Sequence, residues 1–189
     1  MKKLISAMAV AAVCFSSATY ATTSTEASTT IDITGTVNSA PFDQCQVTLT
    51  NNMINLTSTA DSLVEQGKNA QDMVNFTFTV SSTKSITECD KKIYAGKIAV
   101  RFVGTYDNAA GTTFANAAVG ENAATGVGIG LFNYDHTPID ATQVYHIPPE
   151  GRPSSTANAN IGVQLVKLKN QSVKTGTVAG NITFQIERL

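Results

Sequence analysis

Apolar and polar side chains alternate through most of the last fourteen residues, GTVAGNITFQIERL. Gly176 opens this stretch and Leu189 closes it; the apolar positions are Val178, Gly180, Ile182, Phe184 and Ile186, and the polar ones are Thr177, Asn181, Thr183, Gln185 and Glu187. A period of two predicts a β-strand with one buried face. Because chain ends fray unless something holds them, we expect either another element of this chain or another chain to cover this strand.

The same alternation recurs through the body of the sequence. Its apolar positions are Cys45, Val47 and Leu49, then Val74, Phe76, Phe78 and Val80, then Ile98, Val100 and Phe102, then Val127, Ile129 and Leu131, and a continuous run that begins at Ile161. Residues 104–126 are too rich in Gly, Asn and Ala to hold a strand throughout, and only residues 58–73 could hold a helical turn. Many short strands without helical alternation predict an all-β sandwich.

The first 21 residues have the layout of a secretory signal peptide. Lys2 and Lys3 precede an apolar run, and small residues follow up to Ala21, after which we expect cleavage. A lipoprotein processed at Cys14 is the alternative, but the bulky Val13 before that cysteine suits it poorly. Removing 21 of the 189 residues leaves 168, which suits one exported domain.

Cleavage would leave two cysteines, Cys45 and Cys89, in an oxidising compartment. An even pair there predicts a disulfide. Two buried free thiols are the alternative. A metal site is a weaker alternative, because His136 and His146 are not at ligand spacing from either cysteine.

Composition and motifs give no support to catalysis or nucleic-acid binding. The chain has 13 basic and 14 acidic residues, so nothing implies a nucleic-acid partner. It contains no nucleophile elbow, phosphate loop or metal-binding spacing. We expect no enzyme activity, no metal and no cofactor.

The residues after the predicted cleavage site form a Ser/Thr-rich tail. From Ala27 the odd positions are Ala27, Thr29, Ile31, Ile33, Gly35 and Val37, and the even positions are all polar. One interpretation carries the period of a strand outward into this tail. The other is a disordered leader with a first strand that begins near Ile31.

Four segments in this order resemble the subunits of chaperone-usher fimbriae of the type 1 pilin kind. They are TIDITGTVNSAPFDQCQV, SLVEQGKNAQDMVNFTFTVSSTKSITECD, AATGVGIGLFNYDHTPID and IGVQLVKLKNQSVKTGTVAGNITFQIERL. The spacing of Cys45 and Cys89, and Gly176 fourteen residues from the end, belong to the same likeness. It spans essentially the whole of the expected mature chain.

The resemblance implies an incomplete immunoglobulin-like sandwich that lacks its final strand and is completed by donor-strand complementation. Residues 1–21 would be the signal peptide, residues 22–34 the donor-strand extension and residues 35–189 the pilin domain. The implied donor positions are Ala27, Thr29, Ile31 and Ile33, and the implied acceptor positions are Gly176, Val178, Ile182, Phe184, Ile186 and Leu189. The implied partners are a periplasmic chaperone, an outer-membrane usher and neighbouring subunits, in a structural surface fibre used in adhesion.

Two features depart from the family pattern. Arg188 stands at the penultimate position, where members usually carry an aromatic residue, and the tail before Ile31 has few large apolar residues. Both departures allow a minor subunit as well as a major one. A function of another class is a single-domain adhesin in which a loop such as residues 107–124 recognises a carbohydrate or a host surface.

Overall fold

The computed structural model describes residues 27–36, 45–83, 88–147 and 155–189. Within these ranges the chain forms strands with one short α-helix, α1 (Glu88–Tyr94), and a 3-10 turn (Ala60–Ser62). The strands are β1 (Ala27–Thr36), β2 (Cys45–Leu49), β3 (Met53–Ser58), β4 (Val64–Glu65), β5 (Val74–Ser82), β6 (Ile98–Val103), β7 (Phe114–Ala115), β8 (Val127–Asn133), β9 (Pro138–Ile139), β10 (Val144–His146), β11 (Thr156–Lys167) and β12 (Val178–Arg188).

The strands form two sheets that pack face to face. The first sheet has the order β10-β6-β12-β1-β3. The second has the order β2-β5-β11-β8-β7, with β4 beside β11 and β9 beside β8. This arrangement confirms the predicted all-β, immunoglobulin-like sandwich.

Four phenylalanines join the two sheets at the centre of the core. Phe184 of the first sheet lies 5.0 Å from Phe102 and 5.2 Å from Phe78, measured between ring centroids. Phe76 completes the cluster at 6.0 Å from Phe184. These contacts are edge to face, the geometry that aromatic quadrupoles favour, and all four side chains are buried.

The predicted strands are present at β2, β5, β6, β8 and β12. β11 begins five residues before the predicted run, because Ala157 and Ala159 extend its buried face outward while Asn158 stays exposed. Residues 104–126 hold only the two-residue strand β7. Residues 58–73 hold the expected turn, which a capping box between Thr59 and Ser62 begins.

The helix α1 is absent from the sequence prediction, which is wrong at this point. Its acidic residues lie in the first turn and its lysines in the last, as the helix dipole favours. Gly96, with φ of 64°, then ends it, because its N–H bonds to the carbonyl of Ile93 while the N–H of Lys97 bonds to that of Lys92. These bonds form a Schellman motif, and the glycine that follows Lys91 and Lys92 is a sequence signal for the end of a helix.

The disulfide between Cys45 and Cys89 is present, as predicted. It joins the first residue of β2 to α1, with the two Cα atoms 5.4 Å apart. Both cysteines are buried. The bond therefore attaches the helix to one edge of the second sheet.

The first sheet differs from expectation in the source of one strand. The resemblance leads us to expect a strand from another chain beside β12, but in the structure that strand is β1 of the same chain. β1 starts at Ala27, which agrees with the interpretation that the strand extends into the Ser/Thr-rich tail. It ends at Thr36, two residues past the expected end of the donor extension at residue 34. Residues 1–26, including the predicted signal peptide, lie outside the described residues.

Candidate functional site

The strand position between β12 and β3 is the candidate site, because it lies beside the C-terminal strand where the resemblance implies a donor strand. β1 fills it, parallel to β12 and antiparallel to β3. In the described part of the chain β1 is the only strand that pairs with β3. We call this position the acceptor groove; its border residues are Val178, Ile182 and Phe184 on β12 and Ile54 and Leu56 on β3.

The border residues make the acceptor groove apolar along its length. All five are buried, and Ile182 and Phe184 are 0% exposed. Gly180 and Ile186, at the other inward positions of β12, are partly buried. The period of two read in the last fourteen residues is therefore the burial pattern of β12.

The predicted donor positions lie in register with these buried rows. Thr29 is opposite Val178 on one side and Leu56 on the other. The remaining pairs are Ile31 with Gly180 and Ile54, Ile33 with Ile182, Gly35 with Phe184, and Ala27 with Ser58. The odd-numbered residues of β1 thus occupy the register positions that continue the core face.

Gly176 brings the chain before β12 close to residues 122–124. A Cβ atom at Gly176 would lie 2.3 Å from the carbonyl oxygen of Asn122 and 2.8 Å from the amide nitrogen of Ala124. Two hydrogen bonds hold Thr177 against this segment. The N–H of Thr177 donates to the carbonyl oxygen of Asn122 at 2.7 Å, and the carbonyl oxygen of Thr177 accepts from the N–H of Ala124 at 2.9 Å. Any side chain at Gly176 would push these two segments apart.

Asn116 fixes the first residues of β12, and sequence reasoning missed it. Its amide nitrogen donates to the carbonyls of Ala124 and Thr177, at 2.8 and 3.1 Å. Its amide oxygen accepts from the N–H groups of Ala118 and Ala179, at 2.9 and 2.8 Å. An asparagine in a loop rich in Asn, Gly and Ala gives no sequence signal for this role.

The far end of β12 carries an ion pair on its solvent side. Arg101 of β6 donates two hydrogen bonds to the Glu187 carboxylate, and the hydrogen bond to Glu187 raises the pKa of the guanidinium. Leu189 follows, 52% exposed, with its N–H 3.3 Å from the carbonyl of Lys97. Arg188 lies opposite Ile98 in the register, and its side chain is outside the described residues.

The loop in which the adhesin hypothesis places ligand binding, residues 107–124, begins with the buried Asp107. Both oxygens of its carboxylate already accept hydrogen bonds from the protein. One Asp107 oxygen accepts from the N–H groups of Ala109, Ala110 and Gly111, and the other accepts from Thr113 and from the Gln66 amide. Burial alone would raise the pKa of Asp107, but the hydrogen bonds from the backbone of Thr113, Gly111 and Ala109 outweigh it and lower that pKa. Asp107 therefore shapes its own loop and has no oxygen left for a ligand.

The two histidines, His136 and His146, do not lie in a metal-binding group of the described residues. His136 makes a contact of 3.0 Å from Nδ1 to the carbonyl of Ala70, and His146 ends β10. Across the ranges the structure describes, no three His, Cys, Asp or Glu side chains come together as a metal site would require. The same ranges contain no helix of the length and hydrophobicity that crossing a membrane requires.

Solved structures that are similar to this chain include three crystal structures. An antigen and type I fimbria protein from Burkholderia pseudomallei is 19% identical over 86% of this chain and 95% of that one, with a TM-score of 0.41. The P pilus rod subunit PapA is 11% identical over 80% and 97%, with a TM-score of 0.45. The CupB6 tip adhesin from Pseudomonas aeruginosa is 12% identical over 67% and 37%, with a TM-score of 0.38. A search of curated proteins finds no significant match.

The family assignment rests on a sequence match over nearly the whole chain. Residues 15–187 match the family model described as fimbrial protein. The match identifies a structural subunit of a chaperone-usher fimbria, a fibre of the cell surface that is built from such subunits. The chain belongs to the fimbrial protein family.

Proposed function

We propose that this subunit joins its neighbours by donor-strand exchange. The extension of one subunit, residues 22–34, enters the acceptor groove of the next and supplies main-chain hydrogen bonds together with apolar side chains, the β-augmentation mode. The observation that carries this proposal is the register of β1, in which Ile31 lies opposite Ile54 and Ile33 opposite Ile182. Because such a contact is head to tail and does not close, it propagates a fibre.

A chaperone protects the acceptor groove before assembly in this proposal. An open position beside β12 would expose an unpaired strand edge and an apolar row, both of which promote aggregation. A periplasmic chaperone therefore lends a strand that contacts Val178, Ile182, Phe184 and Ile186, while its basic groups bind the terminal carboxylate. The exposure of Leu189 supports that last contact.

The route to the surface follows from the same proposal. Cleavage after Ala21 releases the chain into the periplasm, where residues 22–34 are the donor extension and residues 35–189 the pilin domain. An outer-membrane usher then exchanges the chaperone strand for the tail of the next subunit. The subunit works as a structural element of the fibre and catalyses no reaction.

Deleting Thr22–Thr34 tests this role. When all subunits carry the deletion, the chaperone should still capture them, but none can donate a strand to a neighbour, so fibres should become shorter. Deleting only Thr22–Glu26, which leaves all of β1 in place, is the matched control and should leave fibre length unchanged. Fibres of normal length after the longer deletion would refute donor-strand exchange through this tail.

A peptide of residues 22–36 tests the acceptor groove directly. Added to the chain that lacks its tail, the peptide should raise the melting temperature, because a ligand that binds only the folded state stabilises it. The control peptide carries Asp in place of Ile31 and Ile33. An equal effect of the two peptides would contradict a groove that recognises apolar side chains.

A further inference from the structure

We infer that in the free subunit β1 occupies the acceptor groove of its own chain, and we call β1 in this position the plug. In this form the subunit can neither accept a strand nor donate one. The inference rests on the proposed donor-strand exchange and adds a resting state to it. Its basis is that β1 carries the donor positions and fills the acceptor groove of the same chain.

The plug occupies both edges of the acceptor groove. Residues 29–36 pair with residues 178–185 of β12, and residues 27–32 pair with residues 53–58 of β3. A second strand could enter only if β1 left both ladders. Release of β1 is therefore a single event that opens the acceptor groove and frees the donor together.

The short connection between β1 and the domain favours the plug over a neighbour's tail. Only residues 37–44 separate β1 from β2. A segment on a short tether has an effective concentration in the order of millimolar. A chemically identical tail on another subunit at micromolar concentration should lose this competition, so we expect a purified subunit to remain monomeric.

The plug runs in a direction that cysteine pairs can detect. Ser28 lies opposite Thr57 at one end of β3, and Met53 is four residues away at the other end, or roughly 13 Å along a strand. If β1 ran in the opposite direction, Ser28 would lie near Met53 instead. Thr57 and Met53 are both exposed, so both positions tolerate a cysteine.

The test uses the mature chain with Ser28→Cys and Thr57→Cys, and the control is Ser28→Cys with Met53→Cys. Mild oxidation at micromolar concentration should give a disulfide within one chain in the first variant and none in the second, as read by non-reducing electrophoresis and peptide mapping. A disulfide between two chains, a disulfide in the control variant, or no disulfide in either variant would overturn the inference.

The oxidised first variant then tests the blocked state. Mixed with unmodified subunits and growing fibres, it should be incorporated at neither position, and reduction of the engineered bond should restore its incorporation. Incorporation of the oxidised form would refute the inference. The proposed function fails separately, if the chain without residues 22–34 still builds normal fibres.

Discussion

Phe184 of β12 and Phe78 of β5 meet edge to face across the two sheets, with their ring centroids 5.2 Å apart. The border of the acceptor groove is therefore also the centre of the core. Any strand that pairs with β12 covers a row of side chains on which the stability of the whole sandwich depends.

Replacing Phe184 with Ala should destabilise the subunit by about 3 to 5 kcal/mol, because the change empties a fully buried aromatic site. Urea unfolding followed by circular dichroism measures the loss. Gln185→Ala, one residue further on and less buried, is the control and should cost far less. A loss under about 1 kcal/mol for Phe184→Ala would contradict a central role for this ring.

Replacing both Cys45 and Cys89 with Ala should lower the free energy of unfolding by about 4 kcal/mol on the chain-entropy model, since the bond closes a loop with a sequence separation of 44. Each single replacement should cost at least as much, because it breaks the same bond. Chemical denaturation of the three variants makes the comparison. Unchanged stability in the double variant would show that the bond constrains little of the unfolded chain.

Asp107 should make stability depend on pH in the acid range. Its pKa is lowered in the folded chain, so the folded state holds the proton less tightly than the unfolded state does. The resulting stabilisation is present above the ordinary Asp pKa, about 3.9, and is lost as pH falls through the lower folded value.

The variant Asp107→Asn isolates this effect. It should remove that part of the acid dependence and cost roughly 1 to 3 kcal/mol at pH 7, because an amide NH₂ would face groups that donate hydrogen bonds. Asp72→Asn, at an exposed position, is the control. Thermal unfolding between pH 2 and pH 7 gives the comparison, and an unchanged profile for Asp107→Asn would refute the assignment.

Gly176→Ala should destabilise the start of β12 by roughly 1 to 3 kcal/mol, because the added Cβ would meet the carbonyl oxygen of Asn122 at 2.3 Å. Gly120→Ala is the matched control: its φ of 98° adds backbone strain, but no atom lies within 4 Å of the added Cβ. Hydrogen exchange at Ala124 reports on the local hydrogen bonds. Equal losses in the two variants would show that strain, and not the close contact, explains the effect.

The strands and the disulfide could be read from the sequence because their signals are local. Phe76, Phe78 and Val80 alternate with polar residues, and Cys45 and Cys89 are the only cysteines outside the predicted signal peptide. Sequence patterns did not predict the helix α1, because its seven residues carry too little apolar periodicity to indicate a helix.

The pairing of β1 could not be read in this way. The alternation of Ile31 and Ile33 is the same whether the accepting edge belongs to this chain or to another one. The role of Asn116 depends likewise on contacts with residues up to 63 positions away, and no local pattern encodes such contacts.

β3 joins the first sheet only through β1 in the part of the chain that is described. If donor strands are exchanged as proposed, the strand that fills the position between β12 and β3 also determines whether residues 53–58 pair within the sheet. Each joint of a fibre would then hold two segments that become rigid in the same step, and the mechanical strength of that joint would depend on both of them.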